Sequence, residues 1–366
     1  MFNFFSKFKS FDVPLQIICG LLLLIGLVIL YGTSVSGANM EIFWRQLLFA
    51  GIGLAVYFFF SFYDYQSLSK VSKYGYIAIL LLLIFVLVFG REIKGSTRWI
   101  DLGFFQLQPA EFAKIVVIVG LSRWLYLKRG QINTWKSIAI TLLYTGIPAI
   151  LIMREPDLGS SIILIGVWAG LILISPMHKK YLAALIILAL IVSGISWKFV
   201  LHDYQKRRIE VFINPELDPR GQGYNVRQAT IAVGSGQIFG RGLGQGLQGQ
   251  LNFLPERQTD FIFASASEEI GFVGVSALLI LYFLLLNRLL YIMRNTKDDL
   301  AYYIVGGVLF MLFGQISINI GMNIGLMPVT GIPLPFLSYG GSSLLTVLIA
   351  LGIVQNIARQ SKTLRF

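Results

Sequence analysis

Cysteine is nearly absent: one residue, Cys19, stands in a chain of 366. This excludes an intrachain disulfide and a thiolate metal site and leaves a packing role inside an apolar run. Histidine occurs twice, at His178 and His202, too isolated to build a metal cluster. Charge is scarce as well. Only 13% of residues are charged while 56% are hydrophobic, with a mean hydropathy of +0.73, a composition outside that of soluble globular domains. There is no G-x-S-x-G nucleophile motif, no repeat of fixed period, no low-complexity tail and no soluble domain to host a separate activity. In such a chain a net charge of +12 reports membrane topology before it reports an acidic partner, and no nucleic-acid binding follows from it.

What the sequence has is long apolar runs. A spanning helix needs about 20 mostly apolar residues, and ten stretches qualify, at roughly 13–32, 42–62, 74–90, 110–127, 136–153, 158–176, 180–200, 262–288, 301–325 and 339–358. The first run, Val13 to Tyr31, is longer than a usual signal-peptide core and is followed by many more, so it is expected to be retained. Placing the N-terminus inside puts sixteen Lys and Arg, from Lys7 and Lys9 to Arg359, Lys362 and Arg365, in the inner segments. The short outer segments then hold five: Arg45, Arg91, Lys94, Arg98 and Arg154. The bias predicts an all-α polytopic membrane protein, one membrane domain over residues 1–366, with both termini cytoplasmic.

Three outer segments depart from short, simple connections. The loop 201–261 between the seventh and eighth spans is long enough to be functional. "GREIKGSTRWIDLGFFQLQPAEFAK" (90–114) is too polar and broken to span, and "GLMPVTGIPLPFLSYGGSS" (325–343) is uncharged with three prolines. Both are expected to fold back into the protein or onto the membrane surface, where protein or a wet cavity satisfies the backbone.

Charged residues at the starts of spans are site candidates by default. In "PAEFAK", Glu111 and Lys114 lie three apart on one helical face and can pair; a purely structural ion pair is the alternative. Asp157 in "REPDLGSS" is either a helix N-cap or a site residue. The stretch "LPERQTDFIFASASEE" carries Asp260 to the start of a span and sets Glu268 and Glu269 inside it. Capping explains Asp260 or Thr259 but not the acidic pair. If the helix is continuous, Asp260, Ala264 and Glu268 share a face and border a polar cleft, where a partly desolvated carboxylate is suited to accept a proton. Gln315, Asn319 and Asn323 recur every fourth residue, a pattern for interhelical hydrogen bonds. The G-x-G-x-x-G match at Gly244–Gly249 lacks a strand–turn–helix frame, so it reads as loop rather than dinucleotide site. The loop cations Lys206, Arg207, Arg208, Arg220, Arg227 and Arg257 face either lipid headgroups or a polyanion such as a lipid diphosphate.

These segments together resemble the SEDS family (shape, elongation, division and sporulation), most closely its RodA branch. The similar residues are "GSTRWIDLGFFQLQPAEFAK", "EPDLGSS", "YNVRQATIAVGSGQIFGRG", "FLPERQTDFIFASASEEIGFVG" and "MPVTGIPLPFLSYGGSS". They run in family order across nearly the whole chain; "ASASEE" departs from the bulkier residues frequent in relatives. The resemblance implies a peptidoglycan glycosyltransferase that polymerises lipid II during cell elongation, at the outer face of the bacterial cytoplasmic membrane. Its partners would be a class B penicillin-binding protein, undecaprenyl-diphosphate-linked glycan and other elongation-machinery proteins. Carried onto matching positions, Asp260 is the essential carboxylate, as general base or as ligand to Mg²⁺ or Mn²⁺. Trp99, Glu111 and Lys114 match positions tied to activity, and Arg98, Asp157 and Glu269 join them, with Lys206, Arg207 and Arg208 as cations for the diphosphate. A lone carboxylate at the reacting carbon favours inversion. The alternatives are a flippase for lipid-linked precursors, a division paralogue of the FtsW type, and a catalytically silent scaffold.

Overall fold

The computed structural model describes residues 11–93, 96–101, 103, 106–199, 203–219, 221–246 and 253–363. Lys7, Lys9, Lys94, His202, Arg220, Arg365 and residues 247–249 of the glycine motif lie outside them. Each of the ten expected spans coincides with a helix. These are α1 (Val13–Ser36), α2 (Met40–Phe62), α3 (Tyr65–Phe89), α4 (Pro109–Leu127), α5 (Trp135–Arg154), α6 (Leu158–Ile174), α7 (Lys179–Phe199), and, after two shorter helices, α10 (Ile262–Asn295), α11 (Asp299–Asn323) and α12 (Gly341–Thr363). Among the described residues seven helices, α1, α2, α3, α5, α10, α11 and α12, are long and apolar enough to cross a membrane. The chain is a multi-pass membrane protein.

Local chemistry sets the helix ends. Asp12, Asp64, Thr134 and Asp298 accept backbone N–H bonds from Leu15, Ser67, Ser137 and Leu300, capping α1, α3, α5 and α11. Pro109 begins α4, where its missing N–H has no helical partner to lose. In α11 and α12, 61% and 83% of the apolar window is buried, against 17–39% in the other five, so these two lie nearer the centre of the bundle than those five.

One loop is more ordered than its length suggests, and one outer segment departs from the all-helical pattern. The loop 201–261 is not structureless: it contains α8 (Asp203–Ile213) and α9 (Gln222–Ser235), joined through a 3-10 turn at Pro215–Leu217. A polar sequence with Gln205 and Val211 buried forms a helix that packs on the turn after it and on α9. The segment after α3 is not helical either. It forms β1 (Arg91–Ile93), β2 (Ser96–Asp101) and β3 (Gln106–Leu107), an antiparallel sheet in the order β1-β2-β3 with Arg91 opposite Trp99 and Asp101 opposite Gln106.

The uncharged segment between α11 and α12 folds back as expected. Ile332, Leu334, Phe336 and Leu337 are buried, and side chains satisfy its polar backbone: Gln46 donates to the Ser338 carbonyl (3.4 Å) and accepts from Gly340 N–H (3.2 Å).

α10 is broken at Gly271, whose φ of 64° and ψ of −171° only glycine adopts readily. The backbone groups released by the break are taken up by the segment after α9. The Glu268 and Glu269 carbonyls accept from Arg241 and Gly242 N–H (2.9 and 3.1 Å), and Phe272 and Val273 N–H donate to the Gln237 and Ile238 carbonyls (2.8 and 3.0 Å). Backbone that would be costly if orphaned in a bilayer is thus paired within the protein.

Candidate active site

The N-terminal ends of α2, α4, α6 and α12, the sheet, the turn before α10 and the fold-back segment line a cavity of about 830 Å³. The opposite end of the bundle is closed by polar ties: Arg288 grips Asp12 (2.8 and 2.5 Å), Tyr65 donates to Asp298 (2.7 Å), and Gln360 donates to Asp64 (3.0 Å). The cavity and these ties thus lie at opposite ends of the bundle.

Asp260 sits in the cavity wall. The continuous-helix expectation fails, because α10 begins at Ile262 with Phe261 at the cap position and no side-chain cap bond. Asp260 thus precedes the helix and shares no helical face with Glu268. Its backbone carbonyl accepts from Asn319 (3.1 Å) and Asn323 (3.0 Å), while Asn323 Oδ1 accepts Ala264 N–H (3.0 Å). The asparagine ladder of α11 therefore makes interhelical hydrogen bonds, and their effect is to fix the Asp260 turn. The same turn is held from the other side by Ser338, which donates to the Thr259 carbonyl (2.6 Å), and by Tyr339 N–H, which donates to the Gln258 carbonyl (2.7 Å). Opposite Asp260 stands Gly331, at φ +75°; a Cβ there would lie 3.5 Å from Asp260 Oδ2, so glycine keeps the wall open beside the carboxylate.

Arg98, Trp99, Glu111 and Asp157 line the same cavity. Strand β2 delivers the first two, with the Arg98 guanidinium 6.0 Å from the Trp99 ring centre, the arrangement of a cation over an aromatic face. Glu111 accepts from Lys114 Nζ at 2.7 Å, both 1% exposed. Lys114 does not line the cavity; it neutralises the carboxylate that does, so near hydrocarbon the pair carries no net charge. Asp157 fulfils the cap reading and lines the site too. It accepts from Ser160 N–H (3.0 Å), Ser160 Oγ (2.9 Å) and Gln108 Nε2 (2.9 Å), so its oxygens are engaged in holding α6 to the start of α4.

Lys206, Arg207, Arg208 and Glu269 do not line this cavity. Arg207 is exposed and donates to the Leu217 carbonyl (2.8 Å), bracing α8 against the turn that follows. The cations at the cavity are instead Arg45, Arg98 and Arg257. Arg257 is partly buried; desolvation lowers its pKa, opposed by the charges of Glu269 and Glu268.

Sequence reasoning missed Gln108, Tyr339 and Ser342, and read Arg45 as a topology charge only. Ser342 accepts Gln108 N–H and donates to the Gln106 carbonyl, both at 3.0 Å, pinning β3 to the start of α12. It also missed Glu155. This residue is fully buried (0% exposed) just past α5, and neither carboxylate oxygen has a hydrogen-bond partner among the described residues. Burial pushes its carboxyl up to about 9, Asp157 adding to the shift and Arg98 opposing it.

No group of three or more His, Cys, Asp or Glu suited to a metal ion occurs among the described residues. A divalent ion at Asp260 would therefore take most of its ligands from substrate phosphates and water, a mode common for Mg²⁺.

The chain matches the FtsW/RodA/SpoVE family of cell cycle proteins over residues 11–363. It is 36% identical to the peptidoglycan glycosyltransferase MrdB of Escherichia coli K12, covering 99% of this chain and 97% of that protein. With stage V sporulation protein E of Bacillus subtilis 168 the identity is 39%, covering 98% of this chain and 99% of the relative. Its fold superposes with a TM-score of 0.81 and 31% identity, over 96% of this chain and 98% of the other, on a chain from a structure describing coordination of polymerization and crosslinking by a peptidoglycan synthase complex. With its helical bundle, its cavity at one end and a family match along almost its entire length, the chain belongs to the FtsW/RodA/SpoVE family.

Proposed function

We propose that this protein polymerises lipid II into glycan strands at the outer face of the bacterial cytoplasmic membrane, in a RodA-like elongation role. The observation that carries the reading is Asp260, set in a turn held by Asn319, Asn323 and Ser338, in a cavity that also holds Arg45, Arg98 and Arg257. One carboxylate and several guanidiniums suit a transfer in which a sugar hydroxyl displaces a diphosphate. The hydroxyl of the acceptor lipid II attacks the anomeric carbon of the undecaprenyl-diphosphate-linked chain. A glycosidic C–O bond forms as the C–O bond to the diphosphate breaks, Asp260 takes the hydroxyl proton, and the anomeric configuration inverts. Arg98 and Arg257 neutralise the departing diphosphate. Asp260 and that diphosphate would together hold a Mg²⁺ or Mn²⁺ ion, which would supply further neutralisation of the leaving group.

The likeness to a peptidoglycan synthase complex supports a class B penicillin-binding protein as the crosslinking partner; other elongation-machinery proteins would join the pair. The test is lipid II polymerisation by the purified protein, with and without that partner, Mg²⁺ or Mn²⁺ and chelator, comparing wild type with Asp260→Asn. A glycan ladder present in wild type and lost in the variant is expected. Equal ladders in both would remove Asp260 from the chemistry, and no ladder from an intact complex would favour lipid translocation instead.

A further inference from the structure

The acidic pair Glu268 and Glu269 is not in the cavity wall, yet both are buried, 3% and 4% exposed, at the end of the first half of α10. Buried adjacent carboxylates need compensation. Glu269 Oε1 accepts Gly244 N–H at 3.2 Å, while its Oε2 is buried with no hydrogen-bond partner. The charges of both carboxylates act on one guanidinium, that of Arg257. Arg257 in turn has a buried Nη1 without a hydrogen-bond partner, and it lines the cavity three residues before Asp260. An unused donor and an unused acceptor thus sit on two residues that already interact, one of them reaching the candidate site.

The surroundings of this cluster are built for close approach. A Cβ at Gly32 would come within 2.5 Å of Glu269 Oε2, and one at Gly246 within 2.5 Å of Glu268 Oε2; a Cβ at Gly37 would collide with Arg257 Nη2. Glycines of α1, its C-cap and the loop after α9 therefore leave room only for these charged groups. The backbone that carries the carboxylates is held in place, its carbonyls tied to Arg241 and Gly242 across the helix break (2.9 and 3.1 Å). The acidic pair is a fixed shelf, and Arg257 is the arm resting between shelf and cavity.

We propose that Glu269, with Glu268 beside it, is a positioning residue that holds Arg257 charged and aimed so that its guanidinium meets an anionic diphosphate in the cavity. This rests on the transferase reading for the identity of the diphosphate. Arg257, at the cavity wall, supplies the donors offered to the ligand, and Glu269 is its counter-ion from behind. A charged counter-ion behind a charged donor keeps the guanidinium at the wall at a low cost in desolvation.

The test is a double-mutant cycle in the full-length detergent-solubilised protein, read as the dissociation constant of farnesyl diphosphate and as KM and kcat for lipid II. Loss of a charge-assisted hydrogen bond corresponds to about tenfold or more in affinity. Glu269→Gln is expected to weaken farnesyl diphosphate binding by about that factor and to raise KM more than it lowers kcat. In the Arg257→Ala background the same change should add nothing. Glu269→Asp should recover part of the loss. Effects of E269Q and R257A that multiply, or an E269Q protein that binds normally, would overturn the proposal. If E269Q does not survive purification, Glu268→Gln against Arg257→Ala gives the same cycle, with non-additivity supporting the proposal and multiplication overturning it. Binding of farnesyl diphosphate does not depend on turnover, so an inactive protein with intact coupling would sink the transferase reading alone.

Discussion

Replacing Glu155 by Gln should stabilise the protein, by an amount that grows with pH. Glu155 has no exposed surface and no hydrogen-bond partner for either oxygen among the described residues, so its ionised form is penalised in the folded state. Its carboxyl, ordinarily at 4.5, is pushed up to about 9, chiefly by burial. Between those values the folded protein keeps a proton that the unfolded chain has released, so stability is complete below the lower value and falls as pH rises toward the upper one. Each pH unit in that window costs about 1.4 kcal/mol, which accumulates to about 3 kcal/mol at neutral pH. Glutamine has nearly the same shape and no proton to lose, so it escapes this cost. The assay is thermal unfolding of both proteins in one detergent across a pH series. The Tm values should nearly coincide at about pH 5 and separate steadily above it, E155Q being higher. A gap that does not change with pH, or a variant less stable throughout, would show that Glu155 is ionised and compensated in the fold, with Arg98 the nearest candidate, and the reasoning would fail.

Asp260→Asn should lower lipid II polymerisation by about 10²–10⁴-fold, the usual worth of a general base, with thermal unfolding measured beside it to show that the variant is folded. Lys114→Met should cost about 3–5 kcal/mol by leaving Glu111 charged and buried; the double change Glu111→Gln, Lys114→Met should recover most of it, measured by thermal unfolding. Gly271→Ala should destabilise by at least about 1–3 kcal/mol from its φ/ψ alone. The added Cβ would also strike Gly240, and accelerated proteolysis in the 236–246 loop would report the damage. Ser342→Ala removes both bonds to the sheet and should raise KM more than it lowers stability, since Trp99 and Arg98 stand on that sheet.

Much of this architecture is written in hydrophobic runs, because a bilayer demands about 20 apolar residues per crossing whatever the tertiary contacts. The expected spans accordingly coincide with helices, and the motif residues Arg98, Trp99, Glu111, Asp157 and Asp260 converge on one cavity. Long-range geometry was harder to read. Nothing local distinguishes Gly271 from Gly274, which stays helical three residues on; the cause lies in the backbone of 237–242. The loop cations illustrate the same limit: sequence treats Lys206, Arg207, Arg208 and Arg257 alike, but only Arg257 follows the turn that enters the cavity. Ser342 and Gln46 carry no chemical signature, and their importance comes from partners 234 and 292 residues away.

Those separations have a consequence for how the protein is made. Gln46 waits for Ser338, Gln108 for Ser342, and Tyr65 N–H for Asn356, a partner 291 residues downstream. A chain leaving the ribosome inserts its helices in order, so the cavity has no back wall until α12 has entered the bilayer. Until then Gln46 and Gln108 are held in the membrane without these partners, a state that favours capture by insertion chaperones over independent closure. Catalytic competence therefore arrives in a single late event, the entry of α12, and a nascent chain that stops short of α12 has no complete site with which to draw on the cell's lipid-linked precursors.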